Sequence, residues 1–218
     1  MKARDWQRYL ENERKTQGKT VFTVTELANV SGSTPHVLNV ELDRLCRQGI
    51  IVRYGRGRYG LPDAVTPEQL VPYLDPHAYI TGGFALHRHN LITQMPVAIT
   101  CFTNRRHNRS RVRTTPVGRF TFVCVQSAVY APPVEGVLAG PEQALCDYVW
   151  LMRQRGFAPA SQVTFRALNG LDSNTLQERA TRYPQRVQRM LIEILNLAEA
   201  IPGHWVNSAE RGGPGNST

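Results

Sequence analysis

The first part of the chain consists of short amphipathic stretches separated by turn residues. Trp6 and Leu10 lie on one face of a polar stretch that ends at Gly18, and this spacing predicts a helix with a narrow apolar stripe. After a short extended pair, Thr23 and Glu26 have the spacing of a capping box, which marks a helix start. The pattern therefore predicts two helices within the first 32 residues.

A third helix is predicted where Ser33 and Thr34 precede Pro35, because a hydroxyl cap followed by proline favours a helix start. It is expected to run to Gln48, with a core stripe formed by Leu38, Leu42, Leu45 and Cys46. The opposite face carries small, polar and basic side chains, namely His36, Asn39, Val40, Asp43, Arg44 and Arg47. A tight turn before such a helix predicts a helix-turn-helix, although an ordinary solvated helix face has the same pattern.

Two strand-like runs follow, at residues 50–54 and 58–61, joined by a glycine-rich turn. The order of elements in these roughly 60 residues is that of a winged helix: a helix, a short strand, two helices and a basic hairpin. The expected DNA contacts lie on the third helix and the hairpin: Ser33, Thr34, His36, Asn39, Val40, Arg44, Arg47, Arg53, Arg56 and Arg58. A winged helix that contacts only protein is the alternative.

Prolines between residues 62 and 76 indicate a domain boundary. We therefore predict a winged-helix domain at 1–62, a proline-rich linker at 63–76 with a short helix at 69–74, and a mixed α/β domain at 77–202. In the second domain we expect helices at 79–91 and 141–152, strands at 97–102 and 118–125, and a final helix whose apolar face holds Val187, Leu191, Ile194, Leu195 and Ala198. The glycine pair at 82–83 is expected to allow close packing, and residues 203–218 to form a disordered tail. The fold class is thus α+β.

The charge of the chain points to an anionic partner. It has 26 basic and 17 acidic residues, a net charge of +9. Residues 1–62 carry +5, residues 63–128 carry +4 and the remainder is neutral. Arginine provides almost all of this charge, which suits bidentate phosphate and guanine contacts and equally reflects a compositional bias. Double-stranded DNA is the expected partner.

A second basic cluster lies between the two predicted strands. It contains Arg105, Arg106, Arg109, Arg111 and Arg113, five arginines within ten residues. Like charges at such density repel one another unless an anion neutralises them. We therefore predict a second anionic contact here, with DNA or an acidic protein as its partner and a solvated loop as the plainer alternative.

Several classes of protein lack support in the sequence. We find no phosphate-binding loop, dinucleotide fingerprint, nucleophile elbow or metalloprotease motif, and we expect neither an enzyme nor a bound cofactor or metal. The four cysteines are widely spaced and predict buried, reduced thiols. No apolar run is long enough to span a membrane and no leader is recognisable at the N-terminus, so a cytoplasmic protein is expected.

The order of these features resembles that of AbiEi-type antitoxins, the transcriptional regulators of type IV toxin–antitoxin systems. The matching stretches in the first 62 residues are 21–28, 42–49 and 56–61. In the second domain they are 79–91 with the following Pro96, 115–119, 140–147 and the basic helices at 179–195. The resemblance extends over residues 20–200.

The resemblance implies a winged helix that represses its own promoter at inverted repeats. It also implies a second domain that opposes a nucleotidyltransferase-like toxin without forming a stable complex. Two other functions remain open. One is a stand-alone transcription factor whose second domain binds a ligand or a protein. The other is a nucleic-acid-processing enzyme that uses Asp147 and Glu142 with His87 or His89.

Overall fold

A computed structural model describes residues 1–106 and 110–199. Over these residues the fold is mixed α+β, with eight α-helices and two small sheets. The helices are α1 (Ala3–Gln17), α2 (Val24–Ser31), α3 (Pro35–Arg47), α4 (Pro67–Leu74), α5 (Gly82–Arg88), α6 (Pro141–Gln154), α7 (Ser173–Ala180) and α8 (Gln185–Glu199). The strands are β1 (Phe22–Thr23), β2 (Val52–Gly55), β3 (Arg58–Gly60), β4 (Tyr79–Thr81), β5 (Ile99–Thr103), β6 (Val112–Thr115) and β7 (Gly118–Cys124). Short 3-10 turns occupy Pro159–Ser161 and Leu168–Gly170.

The elements predicted for the first 62 residues are confirmed. Both bonds of the capping box at the start of α2 form, with the Glu26 amide 3.2 Å from Thr23 Oγ1 and the Thr23 amide 2.8 Å from Glu26 Oε2. The first sheet has the order β1-β3-β2, all antiparallel. One face of this sheet packs on α1, α2 and α3 around a core built from Trp6, Leu10, Phe22, Leu27, Leu38, Leu42, Leu45, Ile51, Tyr59 and Leu61.

The segment predicted to be a linker is a packed element. Pro67 occupies the first turn of α4, where the missing amide of proline costs no hydrogen bond, so the prolines do not keep this segment extended. Leu70 and Val71 are fully buried. They share one cluster with Tyr54 of the first sheet and Phe120 of the second. Helix α4 therefore lies in a core common to both sheets.

The second sheet has the order β4-β5-β7-β6, with β5 parallel to β7 and the other pairs antiparallel. The prediction of a single helix over residues 79–91 is wrong, because Tyr79–Thr81 forms a strand before α5 begins. Gly82 separates the two with a φ of +62°, a conformation that side chains disfavour. A Cβ there would lie 3.7 Å from Thr100, so backbone conformation rather than close packing requires this glycine.

Two further expectations need correction. Arg113, expected to lie in a loop at 105–113, belongs to β6, which pairs with β7. The prediction of four buried thiols is also wrong. All four cysteines are free, but Cys124 is exposed and Cys46 half-buried, since only Cys101 and Cys146 lie inside the core.

The second half of the chain packs around α6, which is buried on nearly all sides as expected. Helices α5, α7 and α8 contact it, and Val187, Leu191 and Ile194 of α8 point into the same core. Leu195 is partly buried there. The side chain of Ala198 and the predicted tail at 203–218 lie outside the described residues.

Candidate nucleic-acid interface

The outer face of α3 is open to solvent. Burial of Leu38, Leu42 and Leu45 fixes the rotation of the helix and turns its other face outward. The exposed residues are His36, Val37, Asn39, Val40, Asp43, Arg44 and Arg47. Val37 and Val40 are 55% and 57% exposed. Such a face can offer polar groups to base edges and methyl groups to thymine.

The start of α3 leaves groups available for a phosphate. Thr34 is the N-cap residue, but its hydroxyl makes no bond to the helix amides. Ser33 is half-buried, and its amide is 3.2 Å from Ser31 Oγ. A helix N-terminus attracts anions because its first amides lack partners and its dipole is positive there.

The acidic residue on the outer face is paired. Asp43 Oδ2 lies 2.9 Å from Arg47 Nη2, one helical turn apart, as the sequence predicts. Both side chains are largely exposed, and such pairs contribute less than about 1 kcal/mol. Arg44 forms no ion pair with any residue in the described part of the chain. The pair is weak enough for a phosphate to compete for Arg47.

The three hairpin arginines have different environments. Arg53 is exposed, with its Nε 3.3 Å from the Gly55 carbonyl. Arg56 stands exposed at the turn. Arg58 is half-buried and lies over the ring of Tyr73 in α4. The structure therefore presents Arg53 and Arg56 to solvent and directs Arg58 toward α4.

The hairpin is held between α2 and α4. The Val24 amide donates to the Gly57 carbonyl at 3.1 Å, which joins the turn to the start of α2. On the other side, a Cβ on Gly55 would lie 3.6 Å from Leu74 Cδ2. These contacts fix the hairpin tip relative to the start of α3, because α2 and α3 belong to the same core.

Of the arginines predicted to form the second anionic contact, some are exposed to solvent and one is bonded within the fold. Arg105, Arg106 and Arg111 are exposed, whereas Arg109 lies outside the described residues. Arg113 sits in β6, donates a hydrogen bond to the Leu74 carbonyl and lies 4.8 Å from the centre of the Phe122 ring. Arg113 is thus committed to the fold.

The hairpin and β6, which carry the two basic clusters, both contact Leu74 at the end of α4. Leu74, at the end of α4, is next to Gly55 of the hairpin and accepts the bond from Arg113 of β6. Arg111 directly precedes β6, so its charge is carried by an element adjacent to the hairpin. The fold thus places the hairpin and β6 against the same end of α4.

Asp147 of α6 is fully buried. Its carboxylate accepts bonds from Tyr79 (3.1 Å), Thr81 (2.6 Å), Tyr183 (2.5 Å) and Gln143 (3.0 Å). Burial raises the pKa of Asp147 to about 7, although these bonds act in the opposite direction. Two tyrosines distant in sequence therefore stabilise this carboxyl group.

The residues considered for catalysis do not form an open site. Asp147 has no exposed surface. Glu142 accepts the Asp172 amide at 3.0 Å, and His89 Nε2 lies 2.7 Å from the Ala139 carbonyl. The buried His87 Nδ1 has no hydrogen-bond partner among residues 1–106 and 110–199. Within the described ranges, no three histidine, cysteine or acidic residues are placed to hold a metal ion.

Sequence reasoning missed Val37, which extends the exposed apolar part of the α3 face. In helical projection Val37 lies next to Arg44 of the predicted outer face, so the pattern could have included it. It also missed the tyrosine partners of Asp147, for which no local pattern exists.

Comparison with known protein families and with curated proteins finds no match for this chain. None of the helices in the described part of the chain is long and apolar enough to cross a membrane.

Proposed function

We propose that the chain is a sequence-specific DNA-binding transcriptional regulator, with a winged helix at residues 1–62. The observation that carries the proposal is the exposed α3 face, anchored by three fully buried leucines and adjacent to a hairpin with two exposed arginines. The sheet order β1-β3-β2 supports it, because the hairpin strands β2 and β3 then extend from the helical core as a wing does.

In this proposal α3 enters the major groove with its N-terminal half. Ser33 and Thr34 contact phosphate, while His36, Asn39 and Val40 reach base edges. Arg44 and Arg47 contact the flanking backbone, and Arg53 and Arg56 do so from the hairpin. The regulator acts in the cytoplasm, binds an inverted-repeat operator at its own promoter and represses it.

The test is protection of the DNA upstream of the chain's own gene from nuclease digestion. We expect the chain to protect an inverted repeat there, and the Asn39→Ala variant to lose that protection. A matched control is Asn12→Ala, which removes the same side chain from the exposed face of α1. Equal binding to the upstream fragment and to unrelated DNA would contradict a sequence-specific regulator.

We further propose that the second domain acts as an antitoxin against a nucleotidyltransferase-like toxin, without a stable complex. The support is the resemblance of residues 20–200 to AbiEi-type regulators. Co-expression with a toxin gene adjacent to its own tests this, with growth as the readout. Rescue by the full chain carrying Asn39→Ala, which removes operator recognition, would separate the antitoxin role from repression.

The second candidate is a stand-alone regulator whose second domain binds a ligand. A groove in that domain favours it, because it is lined by three arginines that form no ion pair within the described part of the chain. We propose no catalytic step, because the only fully buried carboxylate considered for one, Asp147, has no route to a substrate.

A further inference from the structure

A groove of about 640 Å³ lies between the end of α6 and the beginning of α8. Arg153 and Phe157 line it from the α6 side, and Arg186 and Arg189 from the first turns of α8. This volume is within the usual range for small-molecule sites, about 300–1,000 Å³. The groove belongs to the second domain and shares no residue with α3 or the hairpin.

The positive charge of this groove is only partly balanced by the acidic residue that lines it. Arg153, Arg186 and Arg189 form no ion pair with any residue that the structure describes. Glu193 is the only acidic residue in the lining. Arg186 also stands in the first turn of α8, where the helix dipole is itself positive and cations are unfavourable. An anion would relieve this repulsion.

One of these guanidinium groups has an unused donor. Arg153 Nε is buried and has no hydrogen-bond partner among the described residues. A buried donor without a partner costs about 1–3 kcal/mol, and more when the group is charged. The unbalanced charge of the lining is therefore the observation that favours an anionic ligand.

The groove also offers an aromatic surface. Phe157 is 50% exposed, although large apolar side chains are usually buried. Met190 lies in the same lining and is half-buried. A planar ring stacked on Phe157 would cover apolar surface and gain dispersion contacts. The site therefore combines a phosphate-binding and a ring-binding part.

We propose that this groove binds a nucleotide. Arg186 and Arg189 hold the phosphates at the start of α8, Arg153 adds positive charge from the α6 side, and the base stacks on Phe157. An acidic protein segment would satisfy the arginines but has no need of an exposed aromatic ring beside them. The inference is independent of the DNA-binding proposal, since the two sites share no residue.

The test is titration of the full chain with a fluorescent ADP analogue, followed by competition with ADP, pyrophosphate and polyglutamate. We expect Arg186→Ala and Arg189→Ala each to weaken binding about tenfold or more. Arg155→Ala is the matched control, because Arg155 is exposed at the end of α6 but does not line the groove. The affinity of this variant for the analogue should stay within about twofold of the wild-type value. Phe157→Ala should weaken binding of the analogue and of ADP, and should leave the inhibition constant of pyrophosphate, corrected for the affinity of the analogue, unchanged.

Three outcomes overturn the proposal. The first is no binding of the analogue at about 1 mM, or an equal loss in Arg155→Ala and Arg189→Ala, which would indicate net charge alone. The second is pyrophosphate competing as well as ADP, with Phe157→Ala without effect, which would leave a phosphate site without base recognition. The third is polyglutamate displacing the analogue better than ADP, which would identify an acidic protein partner. Operator binding by the same variants is measured in parallel, so that failure of either proposal is seen separately.

Discussion

The guanidinium carbon of Arg58 lies 5.8 Å from the centre of the Tyr73 ring, so the strand residue directly after the hairpin turn is tied to α4. Arg58 Nη1 also donates to the Gly57 carbonyl at 3.2 Å. Both contacts turn this arginine away from the exposed hairpin surface that carries Arg53 and Arg56. The hairpin arginines are therefore expected to divide into a structural and a DNA-contacting group.

Substitution of single hairpin arginines separates these roles. Arg56→Ala should weaken binding to all DNA and reduce the slope of log affinity against log salt by about one, because one phosphate contact is lost. Arg58→Ala should leave that slope unchanged and lower the free energy of unfolding by about 0.5–1 kcal/mol through the lost ring contact. Salt-dependent DNA titration and denaturant unfolding measure the two effects. Equal slopes for both variants would refute the division.

Asn39 is the best single test of base recognition, because it is exposed on α3 and its amide suits adenine. Asn39→Ala should cost about 1–3 kcal/mol on the specific operator and little on random DNA. The Asn12→Ala variant, with the same change on α1, should bind both as the wild type does. If Asn39→Ala weakens both DNAs equally, Asn39 does not contact bases.

The exposed arginines beside β6 are expected to contact DNA flanking the operator. Replacing Arg105, Arg106 and Arg111 with alanine should lower affinity several-fold on a long operator fragment and leave a minimal half-site unaffected, because only the long fragment reaches them. The control removes three exposed arginines of α1: Arg4, Arg8 and Arg14. If the long fragment is bound normally while rescue from a co-expressed toxin is lost, the cluster contacts a protein.

Asp147 should make stability depend on pH. Because its pKa rises from the model-compound value of 3.8 to about 7 on folding, the folded state binds a proton that the unfolded state has lost. The contribution of Asp147 to the free energy of unfolding is therefore fully present below about pH 4. It declines by up to about 4 kcal/mol as the pH rises to about 7. Asp147→Asn should flatten this part of the profile in denaturant unfolding. Identical profiles for variant and wild type would show that Asp147 does not titrate here.

The adjacent glycines at the start of α5 should respond differently to alanine. Gly82→Ala should destabilise by about 1–2 kcal/mol, because its φ of +62° is unfavourable for any side chain. Gly83→Ala should be neutral or stabilise by up to about 1 kcal/mol, since its Cβ would meet Pro96 at an ordinary 3.5 Å and alanine favours helix. Thermal unfolding of both variants tests this, and a larger loss for Gly83→Ala would contradict it.

The accuracy of the sequence reasoning follows the range of the interactions involved. The helices and the hairpin of the first 62 residues were predicted because caps, glycines and leucine spacing act within one or two turns. Residues 79–81 form a strand because they pair with β5, some 20 positions away, and no local pattern encodes that pairing. Likewise, Tyr79 and Tyr183 lie 68 and 36 positions from Asp147. The exposed α3 face was predictable, whereas the restraint of Arg58 and Arg113 depends on α4 being packed.

The shared core around α4 determines how cooperatively the protein unfolds. Tyr54, Leu70 and Phe120 belong to different segments but bury one another in a single cluster. Loss of either sheet would expose the apolar side chains of the other, so the two halves are expected to melt together in one cooperative transition. A fragment cut at Pro62 would leave Val21 and Tyr54 uncovered, and proteases should not release a stable DNA-binding piece at that position.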